Sequence, residues 1–409
     1  MPPGCGGATV SRMGRGMTDE FYRIRRLPPY VFAEVNAMKA AARARGEDIV
    51  DLGMGNPDGA PPKHVIEKLA EVAAKPTAHR YSASKGIPGL RKAQAGYYRR
   101  RFGVDVDPDR EVIVTLGSKE GLANLAQAIT APGDVVLTPN PSSPIHHFGF
   151  IIAGASIRSI PAVPGPDFFD RLTKAMRYTV PRPKVLVIGY PSNPTAYVAD
   201  LAFYEKLVAF AGEHGLILIS DLAYAEIYFG DTPTPSILQV EGAKDVAVEF
   251  TSMSKTYSMA GWRIGFAVGN ERLIAALTRV KSYLDYGAFT PVQAAAVAAL
   301  NGPQDIVEAN RALYKKRRDV LVDCFGRAGW TIPVPQASMF AWAPIPEAFA
   351  SLGSMEFAKR LLTEARVAVA PGVGFGEEGE GFVRIALVEN EQRLRQAARG
   401  VKKMLAGDG

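Results

Sequence analysis

Apolar positions along this chain keep two rhythms, and the two alternate. From about residue 110, short β-rich runs take turns with stretches whose apolar residues recur at helical spacing, the pattern of a mostly parallel sheet flanked by helices. Strand-like runs lie at 111–116, 135–139, 156–161, 185–190, 216–220, 246–251 and 264–268. Between them, Leu122, Leu125, Ala126 and Ile129 share one helical face, and 201–214 reads as a crossover helix stopped by Gly215. Helical patterns at 272–283 and 292–300 follow, and Gly302-Pro303 breaks the chain before a helix with apolar Ile306, Leu313, Val320 and Cys324. The style then changes. Strand-like 340–343, helix-like 355–365, strand-like 367–370 and 383–388, and a last helix from Glu391 predict a smaller α+β lobe. Asn390 is the expected N-cap of that helix, with Leu394, Ala398, Val401 and Leu405 on one face. The fold class is α/β.

Composition narrows this picture without redirecting it. A chain of 409 residues, 47% hydrophobic and 22% charged, can bury a large core, and its 40 glycines and 30 prolines follow no collagen-like period. The longest apolar runs, such as Val185-Leu186-Val187-Ile188, are strand-length, far below the roughly 18 residues of a membrane span. Cys5 and Cys324 stand far apart and outside any Cys/His cluster, so neither metal nor a redox pair is expected and a reducing cytoplasm fits best. The first sixteen residues lack the apolar region of a signal peptide and read as a loose tail, with Met17 opening a more protein-like stretch. Net charge is +7, and Lys315-Lys316-Arg317-Arg318 is the one dense basic run. On the helix read above, those charges are expected to point away from the core. No aromatic-plus-basic recognition motif accompanies them, so the charge suits anionic small molecules better than nucleic acid.

The richest chemistry lies in Thr251-Ser252-Met253-Ser254-Lys255 followed by Gly261-Trp262-Arg263-Ile264-Gly265. A lysine just beyond a buried strand loses solvation, which lowers its pKa and frees a neutral amine for a Schiff base. The hydroxyls of Ser252 and Ser254 and the guanidinium of Arg263 are phosphate ligands. A second anion cradle appears at Gly117-Ser118-Lys119-Glu120-Gly121, where a strand turns into a helix whose first amides have no partner, although a plain turn explains it equally. Asp221 and Tyr224 end another strand; facing a pyridine nitrogen, Asp221 would keep it protonated, and otherwise it is an ordinary turn acid. Pro194 holds Asn193 out of helical geometry, so its amide can face a phenolate-like oxygen or simply make a turn.

Taken in order, these NPT, DxAY, SxSK and GWRxG segments, followed by APGxxFG and a late arginine, resemble the class I/II aminotransferases of pyridoxal phosphate fold type I. The resemblance covers about residues 21 to 405. Within the family, RLPPYVF, DLGMGNPDG, GSKEG and KSYLDYG are most similar to bacterial glutamate-pyruvate (alanine) aminotransferases and to their relatives, the LL-diaminopimelate aminotransferases. It implies a flexible tail at 1–16, an arm at 17–58 that joins the small domain, a large cofactor-binding domain at 59–302 and a small domain at 303–409. It also implies that Lys255 joins the cofactor covalently and moves a proton, that Asp221 pairs with the ring nitrogen, and that Asn193 and Tyr224 hold the phenolic oxygen. Ser118, Lys119, Ser252, Ser254 and Arg263 are implied phosphate ligands, and Tyr81 the one that reaches the phosphate from the neighbouring subunit of a homodimer. Arg384 would grip the substrate α-carboxylate with the Gly55 amide, and Tyr30 would face the substrate, though packing of an N-terminal arm suits it as well.

Two departures matter. Where the family places an aromatic residue that stacks on the cofactor ring, this chain has Ser143, with His146, His147 or Phe148 as candidates to compensate. Residues 283–290 hold no arginine of the kind that binds a side-chain carboxylate in aspartate-specific relatives. The implied reaction is a ping-pong amino transfer between an amino acid and a 2-oxo acid, with alanine and 2-oxoglutarate as first pair and LL-diaminopimelate as second. The same site could also run β-elimination, and a cofactor-sensing regulator would need a DNA-binding module that sixteen residues cannot supply.

Overall fold

A computed structural model describes residues 21–407, so the tail expected at 1–16 lies outside the described residues. The strands are β1 (Val50–Asp51), β2 (Val112–Thr115), β3 (Val135–Asn140), β4 (Ser156–Pro161), β5 (Val185–Ile188) and β6 (Ile217–Asp221). They continue with β7 (Ala247–Ser252), β8 (Gly265–Gly269), β9 (Phe340–Pro344), β10 (Val367–Ala368), β11 (Ala370–Pro371) and β12 (Phe382–Ala386).

Seven of these form one sheet in the order β2-β8-β7-β6-β5-β3-β4, in which only the β8 pairings are antiparallel. Successive side chains of a strand leave on opposite faces, so a sheet covered on both sides needs apolar residues at every position. β5 shows why its sequence is unbroken by polar residues. Val185 and Val187 join the core beneath Ser118–Ile129, Pro144–Ala153 and Glu271–Leu284, while Leu186 and Ile188 join the opposite core beneath Pro88–Phe102 and Leu201–His214.

The C-terminal part builds a three-stranded antiparallel sheet, β11-β12-β9, and a separate core. The run read as one strand at 367–370 is in fact two. Val367 pairs with Val50 in a two-stranded parallel sheet, and Ala370 pairs with Arg384, so the chain changes partner across Val369. Through β1 the N-terminal arm thus shares the core of the C-terminal part, where Val50 and Leu52 are buried beside Ile385 and Val401.

The long helix Asp305–Arg327 corrects a second expectation. Its buried residues are Val307, Asn310, Tyr314, Arg317, Leu321 and Phe325, one position on from the face read from the sequence. Arg317 therefore points inward, with Nη2 2.7 Å and Nη1 2.8 Å from the two carboxylate oxygens of Asp58. A charge can occupy the inner face because a carboxylate 259 residues away meets it there. Asn390 caps the last helix as expected, accepting from the Arg393 amide at 2.9 Å. No helix among the described residues is long and apolar enough to cross a membrane.

Candidate active site

Loops leaving the carboxyl ends of β5, β6 and β7 converge with the turn after β2 on one cavity of about 290 Å³. This crevice is where open parallel sheets place ligands. Of the residues singled out from the sequence, the cavity brings together Lys255, Ser118, Lys119, Asn193, Asp221, Tyr224, Ser252, Ser254, Arg263, Arg384 and Tyr30.

Lys255 sits on the short helix Met253–Thr256 directly after β7, and Ser252 caps that turn by accepting from the Ser254 amide at 3.2 Å. Its Nζ donates to the Gly55 carbonyl oxygen at 3.1 Å. Burial, reinforced by the charges of Arg384 and Arg263, lowers its amine to about 8. A sizeable fraction of neutral, nucleophilic amine at neutral pH follows.

At one end of the cavity, the helix Ser118–Ile129 begins after Gly117, whose φ of 86° favours glycine. No side chain caps this end, so its first amides are open to an anion. Arg263 lies against them, donating through Nη1 to the Ala260 carbonyl at 2.8 Å and through Nη2 to the Leu116 carbonyl at 3.3 Å. A Cβ on Gly117 would fall 2.2 Å from Arg263 Nη2, and one on Gly265 would fall 2.7 Å from the Ser118 nitrogen. Both glycines keep the cradle open.

Across the cavity, Asp221 ends β6 with a half-buried carboxylate. Its Oδ2 lies 2.9 Å from His146 Nε2, and its Oδ1 accepts from the Ala223 amide at 3.3 Å. His146 is buried, and its Nδ1 has no hydrogen-bond partner among the described residues. Of the residues weighed as replacements for a stacking aromatic, His146 lines the cavity, and its ring hydrogen-bonds Asp221. His147 turns toward Ser142, with its Nδ1 3.4 Å from Oγ, and burial holds its pKa down at about 4. Neither His147 nor Phe148 lines the cavity, whereas Ser143 does.

Arg384 reaches in from β12. Nη1 donates to Asn193 Oδ1 at 2.8 Å and Nη2 to the Gly53 carbonyl at 3.0 Å, while the guanidinium lies 4.0 Å from the Phe340 ring centre and 4.6 Å from that of Phe375. Burial lowers its pKa to about 10. Burial likewise pushes the Tyr224 phenol above its ordinary range, against the opposing pull of Arg384.

Two expected residues stand differently. Gly55 turns its carbonyl to Lys255, and a Cβ there would strike the Phe340 ring at 2.5 Å. Tyr81 is 86% exposed and lies outside this chain's cavity, with its ring 4.6 Å from that of Tyr286. Two charged residues that sequence reasoning passed over also line the cavity, Lys39 and Asp51, joined at 2.8 Å. Their signal is faint, because a lysine on an amphipathic helix ordinarily faces water.

An anion cradle, an amine of lowered pKa and a carboxylate backed by an imidazole, all on one cavity, fit the phosphate, aldehyde and pyridine nitrogen of pyridoxal phosphate. That combination defines a pyridoxal phosphate enzyme of the fold in which the cofactor lies at the carboxyl edge of a mostly parallel sheet. The family model described as aminotransferase class I and II matches residues 47–401, and the chain belongs to this family. It is a pyridoxal phosphate-dependent aminotransferase, moving an amino group between an amino acid and a 2-oxo acid. The chain is 64% identical over 388 residues to the putative aminotransferase AatC of Rhizobium meliloti (strain 1021), covering 95% of this chain and 96% of that one. It is 56% identical over 389 residues to the glutamate-pyruvate aminotransferase AlaC of Escherichia coli (strain K12), covering 95% and 94%. Among solved structures, substrate-bound BacF from Bacillus subtilis superposes with a TM-score of 0.88 at 36% identity, covering 94% of this chain and 97% of that one.

Proposed function

We propose that this aminotransferase interconverts alanine and 2-oxoglutarate with pyruvate and glutamate. The observation that carries the choice of substrates is the 56% identity, along nearly the whole chain, to a glutamate-pyruvate aminotransferase.

Bound pyridoxal phosphate supplies an aldehyde and an electron-withdrawing ring. Lys255 contributes its neutral amine as the covalent anchor and then carries a proton to and from the substrate Cα. Asp221, held by His146 and the Ala223 amide, keeps a proton on the ring nitrogen. Tyr224, its phenol protonated through burial, and Asn193 hold the phenolic oxygen. The amides of Ser118 and Lys119, with Ser252, Ser254 and Arg263, hold the phosphate. Arg384 holds the substrate α-carboxylate between Phe340 and Phe375, with Gly55 and Tyr30 closing the same side.

The exposed Tyr81, its ring against that of exposed Tyr286, supports a homodimer in which Tyr81 reaches the partner's phosphate. Residues 59–302 act as the cofactor-binding domain, and 17–58 with 303–409 as the smaller one. The free thiol of Cys324 supports a cytoplasmic setting.

Half-reaction absorbance changes with alanine, glutamate, aspartate and LL-diaminopimelate test the assignment. Alanine and glutamate are expected to react fastest. Failure of alanine with success of the diamino acid overturns the proposal in favour of an LL-diaminopimelate aminotransferase. Borohydride reduction followed by mass measurement tests the anchor: the wild type is expected to carry one cofactor adduct at Lys255, and Lys255→Ala none.

A further inference from the structure

An enzyme that uses both alanine and glutamate must accept a methyl group and a chain ending in a second carboxylate at the same place. Five cationic side chains line the cavity: Lys39, Lys119, Lys255, Arg263 and Arg384. Arg263 and Lys119 stand at the phosphate cradle, Lys255 at the reacting carbon, and Arg384 at the α-carboxylate. Lys39 has no role among these.

Its placement is specific. On the helix Phe32–Ala44, residues Phe32, Val35, Asn36 and Lys39 all line the cavity, the i, i+3, i+4, i+7 stripe of one helix face. Lys39 Nζ lies 2.8 Å from Asp51 Oδ2, and its side chain is only 12% exposed. Asp51 leads straight back to Arg384: its Oδ1 accepts from the Gly53 amide at 3.2 Å, and the Gly53 carbonyl accepts from Arg384 Nη2 at 3.0 Å. One residue of backbone and one carboxylate therefore link the two cations, and both line the same cavity.

We propose that Lys39 binds the distal carboxylate of a five-carbon dicarboxylic substrate whose α-carboxylate is held by Arg384. This deepens the proposed function and rests on the site being that of a glutamate-using transaminase. Asp51 makes the arrangement switchable. It has a second cation, Arg43 Nη2 at 3.3 Å, and the Gly53 amide, so it is not stranded when Lys39 turns to a ligand. Two cations on one carboxylate leave the cluster with a net positive charge, which suits a lone carboxylate better than a distal zwitterion. For a monocarboxylate Lys39 stays on Asp51, and the cavity keeps no unpaired charge opposite a methyl group.

The test uses inert ligands on the cofactor-loaded protein, comparing glutarate with pentanoate, which has the same chain length and one carboxylate fewer. Calorimetry or displacement is expected to show wild-type preference for glutarate of about 10- to 100-fold, the range of a charge-assisted hydrogen bond. Lys39→Met is expected to abolish that preference and to lower the ratio of kcat/KM for glutamate over alanine by a similar factor. Lys39→Arg should retain most of the preference, and Asp51→Asn, which frees Lys39 while keeping an acceptor for the Gly53 amide, should strengthen it. Equal binding of the two ligands by the wild type, or a preference that survives in Lys39→Met, overturns the assignment. A glutarate preference lost in Lys39→Met alongside no reaction of alanine leaves the distal site standing and overturns the proposed function instead.

Discussion

Two lysines buried near the same sheet show what separates a reactive amine from a structural one. Among the described residues no carboxylate pairs with Lys255: its hydrogen-bond partner is the Gly55 carbonyl, its charged neighbours are Arg384 and Arg263, and burial lowers its pKa to about 8. Lys281, on Glu271–Leu284, is fully buried, yet its Nζ lies 2.8 Å from both Glu120 Oε1 and Asp285 Oδ2. Burial is common to both. Counter-charge decides: the paired ammonium is a tie between elements, and the unpaired one is primed to lose its proton. The tie has a local purpose, because Glu120 also accepts from the Leu116 amide at 2.8 Å, and the Leu116 carbonyl receives Arg263 beside the phosphate cradle.

The contrast can be broken by substitution. Lys255→Ala is expected to lower half-reaction rates at least about 10³-fold, the scale of a lost proton-transfer group, while denaturant titration of the cofactor-free protein near neutral pH shows no loss of stability, because the substitution removes a buried cation whose charge opposes folding. A large loss of stability there would place Lys255 with Lys281 as a structural residue. Arg384→Lys keeps the charge but loses the fork, so stopped-flow half-reactions with alanine and with glutamate should both slow by about 100-fold. Unequal slowing would mean that the arginine reads the side chain as well as the α-carboxylate.

Lys281→Met is expected to cost about 2–3 kcal/mol, below the usual cost of breaking a buried pair because water reaches both carboxylates. Adding Glu120→Gln and Asp285→Asn should recover part of this loss in urea midpoints; no recovery would mean that packing, not charge, sets it. The remaining contrast is a pH dependence. Lys255 falls from 10.5 in an unfolded chain to about 8 in the cofactor-free fold. Between these values the unfolded state holds a proton that the folded state has released, so stability gains from this residue as pH rises from about 8 to 10.5. Lys255→Met should flatten that part of the wild-type curve.

The same pair explains how much could be read from the sequence. Lys255 was legible because serines, lysine and arginine cluster within thirteen residues after an apolar run. Lys281 was not, since it falls in an amphipathic pattern as any solvated lysine would, and Glu120 is 161 residues away. Long-range partners also hid the inward turn of Arg317 onto Asp58 and the shift of its helix by one position. The central strands were readable within a residue or two because burial on both faces demands continuous apolar runs. The small lobe was less so, because Val367–Ala368 and Ala370–Pro371 serve two sheets within a run that looks like one strand. His146 was visible as an aromatic near the ring site, but its bond to Asp221 depends on two loops that meet only in the fold.

The hydrogen bonds of Arg384 carry one more consequence. This arginine fastens β12 to Asn193, beyond β5, and to the arm at Gly53, so the two halves of the crevice are stitched together by the group proposed to hold the substrate carboxylate. Only its buried Nε lacks a partner among the described residues. In that proposed role an incoming amino acid exchanges its own carboxylate for those internal acceptors, and docking becomes a transfer of the latch from protein to ligand. Selectivity for the α-carboxylate is then a matter of competition with Asn193 and Gly53 as much as of attraction.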